Sequence, residues 1–265
     1  MVIILLSKIK KIIFNRKAYI YMSELKTVKC YLNQLPATII KLLGLDPPLN
    51  TISKPIQDII DTYQGVERIS INMIDNFGLF EITYHKPAFM ITNSELMLLL
   101  STKNPYTLGV FHQLMFGSFE VEPNGFHLLR YLNNNGKKSV LVARKKDLDR
   151  YAGGTFSISK ETDMATWVES AKAINIYDLS WMHYLDFENL HIQQQKLKQR
   201  TPEDLIQKLI LRTDKWILSN YKQLRKKSLM IILGDHGRSK LNFEYSGKIA
   251  QWREASVPIA IFISK

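Results

Sequence analysis

The chain has 265 residues, 46% hydrophobic and 23% charged, which suits a folded protein with ample core and excludes a disordered one. Its single cysteine, Cys30, rules out an internal disulfide framework and fits a reducing compartment, so a structural cysteine and a cytoplasmic location are expected. The formal net charge of +12 favours polyanionic partners: phosphorylated substrates, nucleic acid or an acidic membrane surface.

In chain order, residues 1–21 carry Lys8, Lys10, Lys11, Arg16 and Lys17 and no acid. Lysines interrupt this segment too often for a bilayer span, and it lacks the basic–apolar–small order of a signal peptide. The expectation is a poorly ordered basic extension, or a start misplaced ahead of Met22-Ser23-Glu24, with a surface-seeking amphipathic helix as the other reading. No later apolar stretch is long enough for a transmembrane helix, and residues 22–265 are expected to form one α/β domain.

Leu35-Pro36-Ala37 opens a short apolar helix that stops near Gly44, where Asp46-Pro47-Pro48 forbids continuation. Ser53 suits an N-cap for a helix reaching about Tyr63. Arg68 to Ile74 is β-rich and meets the turn Asp75-Asn76-Phe77-Gly78. Ser94 to Ser101 is strongly apolar and reads as a buried helix. Phe126 to Leu132 is a helix closed by Asn133-Asn134-Asn135-Gly136, and the strand Ser139 to Ala143 comes next. Asp163 to Ala173 reads as helix and Trp181 to Leu185 as strand. The clearest helix runs from Thr201 to about Lys227, with Glu203 and Asp204 at its positive end and Arg225-Lys226-Lys227 at its negative end. The strand Leu229 to Leu233 leads into Gly234-Asp235-His236-Gly237, and Val257 to Ile263 is a last strand. This alternation predicts an α/β fold, a mostly parallel sheet with helices on both faces.

In such folds ligands gather at the C-terminal edge of the sheet. Three strand ends carry metal-ligand types: Asp75, the stretch His183 to His191 with Asp186 and Glu188, and the pair Asp235-His236. Carboxylate and imidazole together suit a divalent cation, Zn, Mn or Mg. His85, His112 and His127 match no ligand spacing. His183 alternates with Trp181 along a strand and either faces the active edge or fills a buried polar position.

On these residues the chain resembles the alkaline phosphatase-like superfamily, which includes type I phosphodiesterases, nucleotide pyrophosphatases and sulfatases. The resemblance spans about Val66 to Ile263. Ile71-Asn72-Met73-Ile74-Asp75 is similar to the family's opening strand with its metal-binding aspartate. Leu99 to Pro105 looks like the segment after the nucleophile, Trp181 to Asp186 like the sulfatase "HYMD" strand, and Gly234-Asp235-His236-Gly237 like the family's final metal motif.

The resemblance implies an alkaline phosphatase-like three-layer sandwich without large cap insertions. It also implies a nucleophilic hydroxyl that ligates a metal. Counting back from Thr102-Lys103 puts that role on Asn93, whose amide cannot attack, with Thr92 and Ser94 on either side to supply a hydroxyl. Asp75, Asp235 and His236 would hold one metal, and Asp186 or Glu188 with His191 another. Lys103 and Arg238 would stabilise the transferring group. No histidine follows His236, and Asn242 and Glu244 are imperfect substitutes for the family's late ligand.

The implied activity is metal-dependent hydrolysis or transfer at a phosphoester or phosphodiester, with sulfate esters the lesser option, on a phosphorylated small molecule or polymer. The alternative is a degenerate member that binds a phosphorylated ligand or protein partner without turnover. Nucleic acid binding is suggested by charge alone, since Arg144-Lys145-Lys146 and Arg225-Lys226-Lys227 sit at element ends, where basic residues complement helix dipoles.

Overall fold

The structure, a computed structural model, describes residues 5–6, 30–119, 125–237 and 256–264. Its strands are β1 (Leu5–Leu6), β2 (Arg68–Ile74), β3 (Leu96–Ser101), β4 (Ser139–Ala143), β5 (Ser157–Ser159), β6 (Leu179–Tyr184), β7 (Ser228–Gly234) and β8 (Ser256–Ile263). They form one sheet in the order β1-β3-β8-β7-β2-β6-β4-β5. The run β7-β2-β6-β4-β5 is parallel throughout. β8 runs antiparallel to both β7 and β3, so β3 points the same way as the parallel strands. Leu5 and Leu6 pair antiparallel with Met97 and Leu96, while the rest of the basic segment 1–21 lies outside the described residues.

The central strands are buried at nearly every position because both faces are covered. On β7, Leu229, Ile231 and Leu233 enter one core while Met230 and Ile232 enter the other. The first core is closed by α1 (Leu35–Leu42), α2 (Gln57–Thr62), α5 (Thr107–Phe116), α6 (Leu128–Asn134) and α7 (Lys145–Tyr151). The second is closed by α3 (Leu79–His85), α4 (Ala88–Asn93), α8 (Asp163–Ala173), α9 (Asp186–Lys196) and α10 (Glu203–Tyr221). Among the described residues, no helix is long and apolar enough to cross a membrane.

Three expectations change. Ser53 caps no helix, since α2 begins at Gln57 behind Ile56 and the Ser53 hydroxyl accepts from Asn33 Nδ2 at 2.6 Å. The apolar run before Thr102 is not a helix but β3, where Leu96, Leu98 and Leu100 are buried and the residues between them half-buried. A six-residue run of leucine and methionine carries no usable helical period, and pairing with β8 decides its state. The long helix is also shorter at both ends. Thr201 does not cap it but bonds His191, and the basic residues 225–227 lie beyond its last turn.

Candidate metal centre

The C-terminal ends of β2 and β7 lie side by side, with Ile74 opposite Gly234. The loops that leave these two strands are forced close by glycine. A Cβ on Gly234 would stand 1.5 Å from the Phe77 carbonyl oxygen, and one on Gly78 would stand 2.5 Å from the Gly237 Cα. Only the missing side chains let the loop 75–78 and the loop 235–237 interlock. Asn76, in the left-handed region at φ 56°, donates its N–H to Asp235 Oδ1 at 2.9 Å, and the His236 N–H donates to the same oxygen at 2.7 Å.

Asp75, Asp235 and His236 are thereby brought together with one ligand atom each inside a 4.8 Å span. Both carboxylates are fully buried. The oxygens with no hydrogen-bond partner are Asp75 Oδ1 and Asp235 Oδ2. These same two atoms face His236 Nε2, at 3.8 and 3.4 Å. The Gly237 carbonyl can only accept, so His236 Nδ1, 3.1 Å away, carries the hydrogen and Nε2 keeps its lone pair. Ligands about 2.1 Å from a common tetrahedral ion lie about 3.4 Å apart, so this donor set fits a zinc-sized divalent cation. Burial pushes the Asp75 carboxyl well above its ordinary range, the Asp235 and Glu188 charges push the same way, and Arg144 opposes them. A cation would reverse that balance, since it favours the ionised form.

One further side chain reaches this point. Thr107, in the first turn of α5, places Oγ1 3.3 Å from His236 Nε2 and 3.4 Å from Asp75 Oδ2. It sits ahead of the helix's first i→i−4 bond, where N–H groups and the dipole favour negative charge. Gly109 allows that approach, because a Cβ there would meet the Asn104 carbonyl oxygen at 2.7 Å. Sequence reasoning misses Thr107. The signal available is the break Asn104-Pro105 followed by a hydroxyl at the head of an apolar helix.

The other expected site residues fare differently. Thr92, Asn93 and Ser94 precede β3, at the edge of the sheet opposite Asp75, and are not brought to the cluster. Six residues at about 3.3 Å each separate them from the active edge by roughly 20 Å. The Thr92 hydroxyl donates to the Ala88 carbonyl. Asp186, Glu188 and His191 do not assemble a second cluster either. Asp186 pairs with Arg212 at 2.7 Å, Glu188 with Arg144 at 3.0 Å, and His191 Nδ1 lies 3.1 Å from the Thr201 hydroxyl. All three lie on α9, where five residues of helix turn His191 about 140° away from Asp186. Lys103 stands over the Phe119 ring, 4.7 Å from its centre. Arg238, Asn242 and Glu244 lie outside the described residues.

His183 faces the cluster. Its Nε2 lies 3.7 Å from Asp75 Oδ2 and its Nδ1 3.1 Å from Asp147 Oδ2. Burial opposes ionisation of Asp147, but the hydrogen bond and charge of His183 and the Arg144 guanidinium outweigh it and hold the carboxyl below its usual range. His85 is paired with Glu203, and His127 Nε2 donates to the Tyr151 carbonyl, so both serve packing.

Comparison with solved structures agrees with this arrangement of strands. A protein in the alkaline phosphatase superfamily from Vibrio parahaemolyticus matches with a TM-score of 0.54 at 11% identity, over 88% of this chain and 68% of that one. The chain has an alkaline phosphatase-like fold. The C-terminal periplasmic domain of EcEptC from Escherichia coli, solved in complex with Zn, matches with a TM-score of 0.51 at 11% identity, over 77% of this chain and 74% of that one. No protein-family profile matches the sequence, and no curated protein matches it.

Proposed function

We propose that the protein is a metal-dependent phosphoester hydrolase or transferase, with Asp75, Asp235 and His236 holding one divalent cation and Thr107 as nucleophile. The observation that carries the reading is the Thr107 hydroxyl, held between Asp75 Oδ2 and His236 Nε2 at the head of α5. When bound, the cation would supply Lewis acidity and lower the pKa of an oxygen beside it.

The chain's own residues do the rest. As Thr107 Oγ1 bonds to phosphorus, the bond from phosphorus to the leaving oxygen breaks, and the hydroxyl proton passes to Asp75 Oδ2, the oxygen turned away from His236. The first-turn N–H groups of α5 would stabilise the charge that develops on the non-bridging oxygens. Water then releases the group from Thr107, or an acceptor alcohol takes it. The net charge of +12 supports an anionic substrate.

The test is p-nitrophenol release from phosphomonoester, phosphodiester and sulfate ester substrates with Mn²⁺ or Zn²⁺, for wild type, Thr107→Ala and Asp235→Ala. Turnover lost in both variants, with a covalent adduct on Thr107 seen by mass spectrometry in wild type alone, supports the reading. Full turnover by Thr107→Ala refutes it. No turnover from folded, cation-loaded wild type favours a binder of phosphorylated ligands.

A further inference from the structure

Asp75 divides its work between two oxygens. Oδ1 faces the Asp235 and His236 ligand atoms, while Oδ2 faces the Thr107 hydroxyl and His183. A carboxylate that rotates about its Cβ–Cγ bond loses this division, so something has to hold its plane. Its own loop does not, because Oδ1 has no hydrogen-bond partner.

The structure offers a fixed neighbour on the other side. The His183 ring is fully buried and meets the Phe111 ring edge-on at 4.9 Å, and Phe111 is itself stacked between Trp181 and Tyr151. A carboxylate accepts only, so the hydrogen bond to Asp147 Oδ2 puts a hydrogen on Nδ1 and fixes which edge of the ring looks at Asp75. Asp147 is held in turn by Arg144, whose Nε lies 3.0 Å from the same oxygen as an ion pair off the axis of a hydrogen bond. The other arm of that guanidinium donates to Glu188 Oε2 at 3.0 Å. The chain Glu188–Arg144–Asp147–His183 therefore runs from the partly exposed first turn of α9, past the end of β4 and the start of α7, to the buried side of Asp75.

We infer that this chain is a positioning relay that fixes the plane of the Asp75 carboxylate, and that Glu188, which the sequence offers as a metal ligand, acts on the cation site through this relay and its charge rather than as a ligand. The inference rests on the proposed cation at Asp75, Asp235 and His236. His183 Nε2 has no other hydrogen-bond partner. Nε2 stands 3.7 Å from Oδ2 and limits rotation of the carboxylate on that side, and a movement of about 0.7 Å closes the pair to a hydrogen bond when Nε2 also carries a hydrogen. Oriented partners behind metal ligands typically change affinity by about 10–100-fold when removed.

The experiment is Mn²⁺ binding by calorimetry and by electron paramagnetic resonance, with melting temperatures measured without and with Mn²⁺. The proteins are wild type, Asp235→Ala, His183→Gln, Asp147→Asn and Glu188→Gln. The expected result is a loss of about tenfold or more in affinity for His183→Gln and Asp147→Asn, and a smaller, several-fold loss for Glu188→Gln. Glu188 is partly exposed, so that variant guards against failure to fold. The melting temperature without metal should hold for Glu188→Gln while the rise on adding Mn²⁺ shrinks, a pattern that a merely structural role would not give. Wild-type affinity in all three relay variants, with Asp235→Ala binding nothing, overturns the relay and leaves the cation site standing. A loss in Glu188→Gln as complete as in Asp235→Ala makes Glu188 a ligand and overturns it too. No Mn²⁺ binding by wild type overturns the cation reading and the relay together.

Discussion

Replacing Gly234 with alanine tests how the two ligand-bearing loops are held together. The new Cβ would stand 1.5 Å from the Phe77 carbonyl oxygen and 2.7 Å from its carbon, both backbone atoms that no rotamer change can move. Relief to an ordinary contact of about 3 Å needs roughly 1.5 Å of displacement between β7 and the loop 75–78, and overpacking of this kind costs about 1–3 kcal/mol. The same displacement breaks the Asn76 N–H bond to Asp235 Oδ1, now 2.9 Å, and a hydrogen bond to a charged group contributes about 1.5–3 kcal/mol. Together the loss is about 3–6 kcal/mol, a large part of the stability of an ordinary domain. Urea unfolding of the metal-free protein should show a midpoint lowered by about 1–2 M if the slope is near 3 kcal/mol/M. Metal sites tolerate about 0.2 Å of ligand error, so Mn²⁺ binding should fall below detection in whatever fraction stays folded. A variant that unfolds within about 0.3 M of wild type and binds Mn²⁺ with wild-type affinity would refute the interlocked-loop account of the site.

The same geometry makes other outcomes testable. Thr107→Ser should keep a measurable part of the turnover that Thr107→Ala loses, since it retains the hydroxyl, and steady-state rates on the preferred ester read the difference. Thr92→Ala and Asn93→Ala lie at exposed positions on the far edge of the sheet. They should change kcat/KM by less than about twofold, which separates them from Thr107. His191→Ala should leave Mn²⁺ affinity unchanged in calorimetry, because that imidazole is engaged by Thr201 and Gln195. Asp163 gives a pH prediction. Burial, then the Asp186 charge, raise its carboxyl to about 6, against the Leu185 and Asp186 N–H groups and Arg212. A folded value above the unfolded one stabilises the protein fully below about pH 4 and is lost as pH rises through about 6, a swing of about 3 kcal/mol at most. The metal-free protein should therefore gain stability from Asp163 on acidification from pH 7 to 5, and Asp163→Asn should lose that share in pH-dependent urea titrations.

The legible parts of the fold share a physical reason. β2, β4 and β7 are central strands covered on both faces, so β4 and β7 appear as apolar runs and β2 as a β-rich run broken only by Ser70 and Asn72, each ended by a polar or glycine turn. Asp75 and Asp235-His236 follow such runs at once, and their meeting needs only that β2 and β7 be parallel neighbours. α8 is legible over its full length because Thr162 caps it and its charged residues keep helical spacing. α4, α5, α7 and α9 have no side chain capping their first turn, and α3, α4 and α7 hold about two turns each, so these helices depend on the sheet beneath them.

The proposed nucleophile position shows where local reading stops. Counting back from Thr102-Lys103 puts the role on Asn93, with Thr92 and Ser94 beside it, and taking 94–101 as a helix leaves nothing to contradict that placement. Once the run is a strand lying antiparallel to β8, its direction is fixed by two pairings distant in sequence, and the hydroxyl must lie after it. Thr102 is the first candidate there, but its side chain is buried against Gln113 at 2.9 Å. Thr107 is the next, and α5 turns it back over Asp75. The same dependence explains Glu188. Its spacing from His191 suits a ligand pair on a helix, but the tertiary partner that claims it, Arg144 at the end of β4, is 44 residues earlier in the chain. Ligands fixed by strand ends are written locally, while groups that act on them from a helix start or through a guanidinium are set by which strands become neighbours.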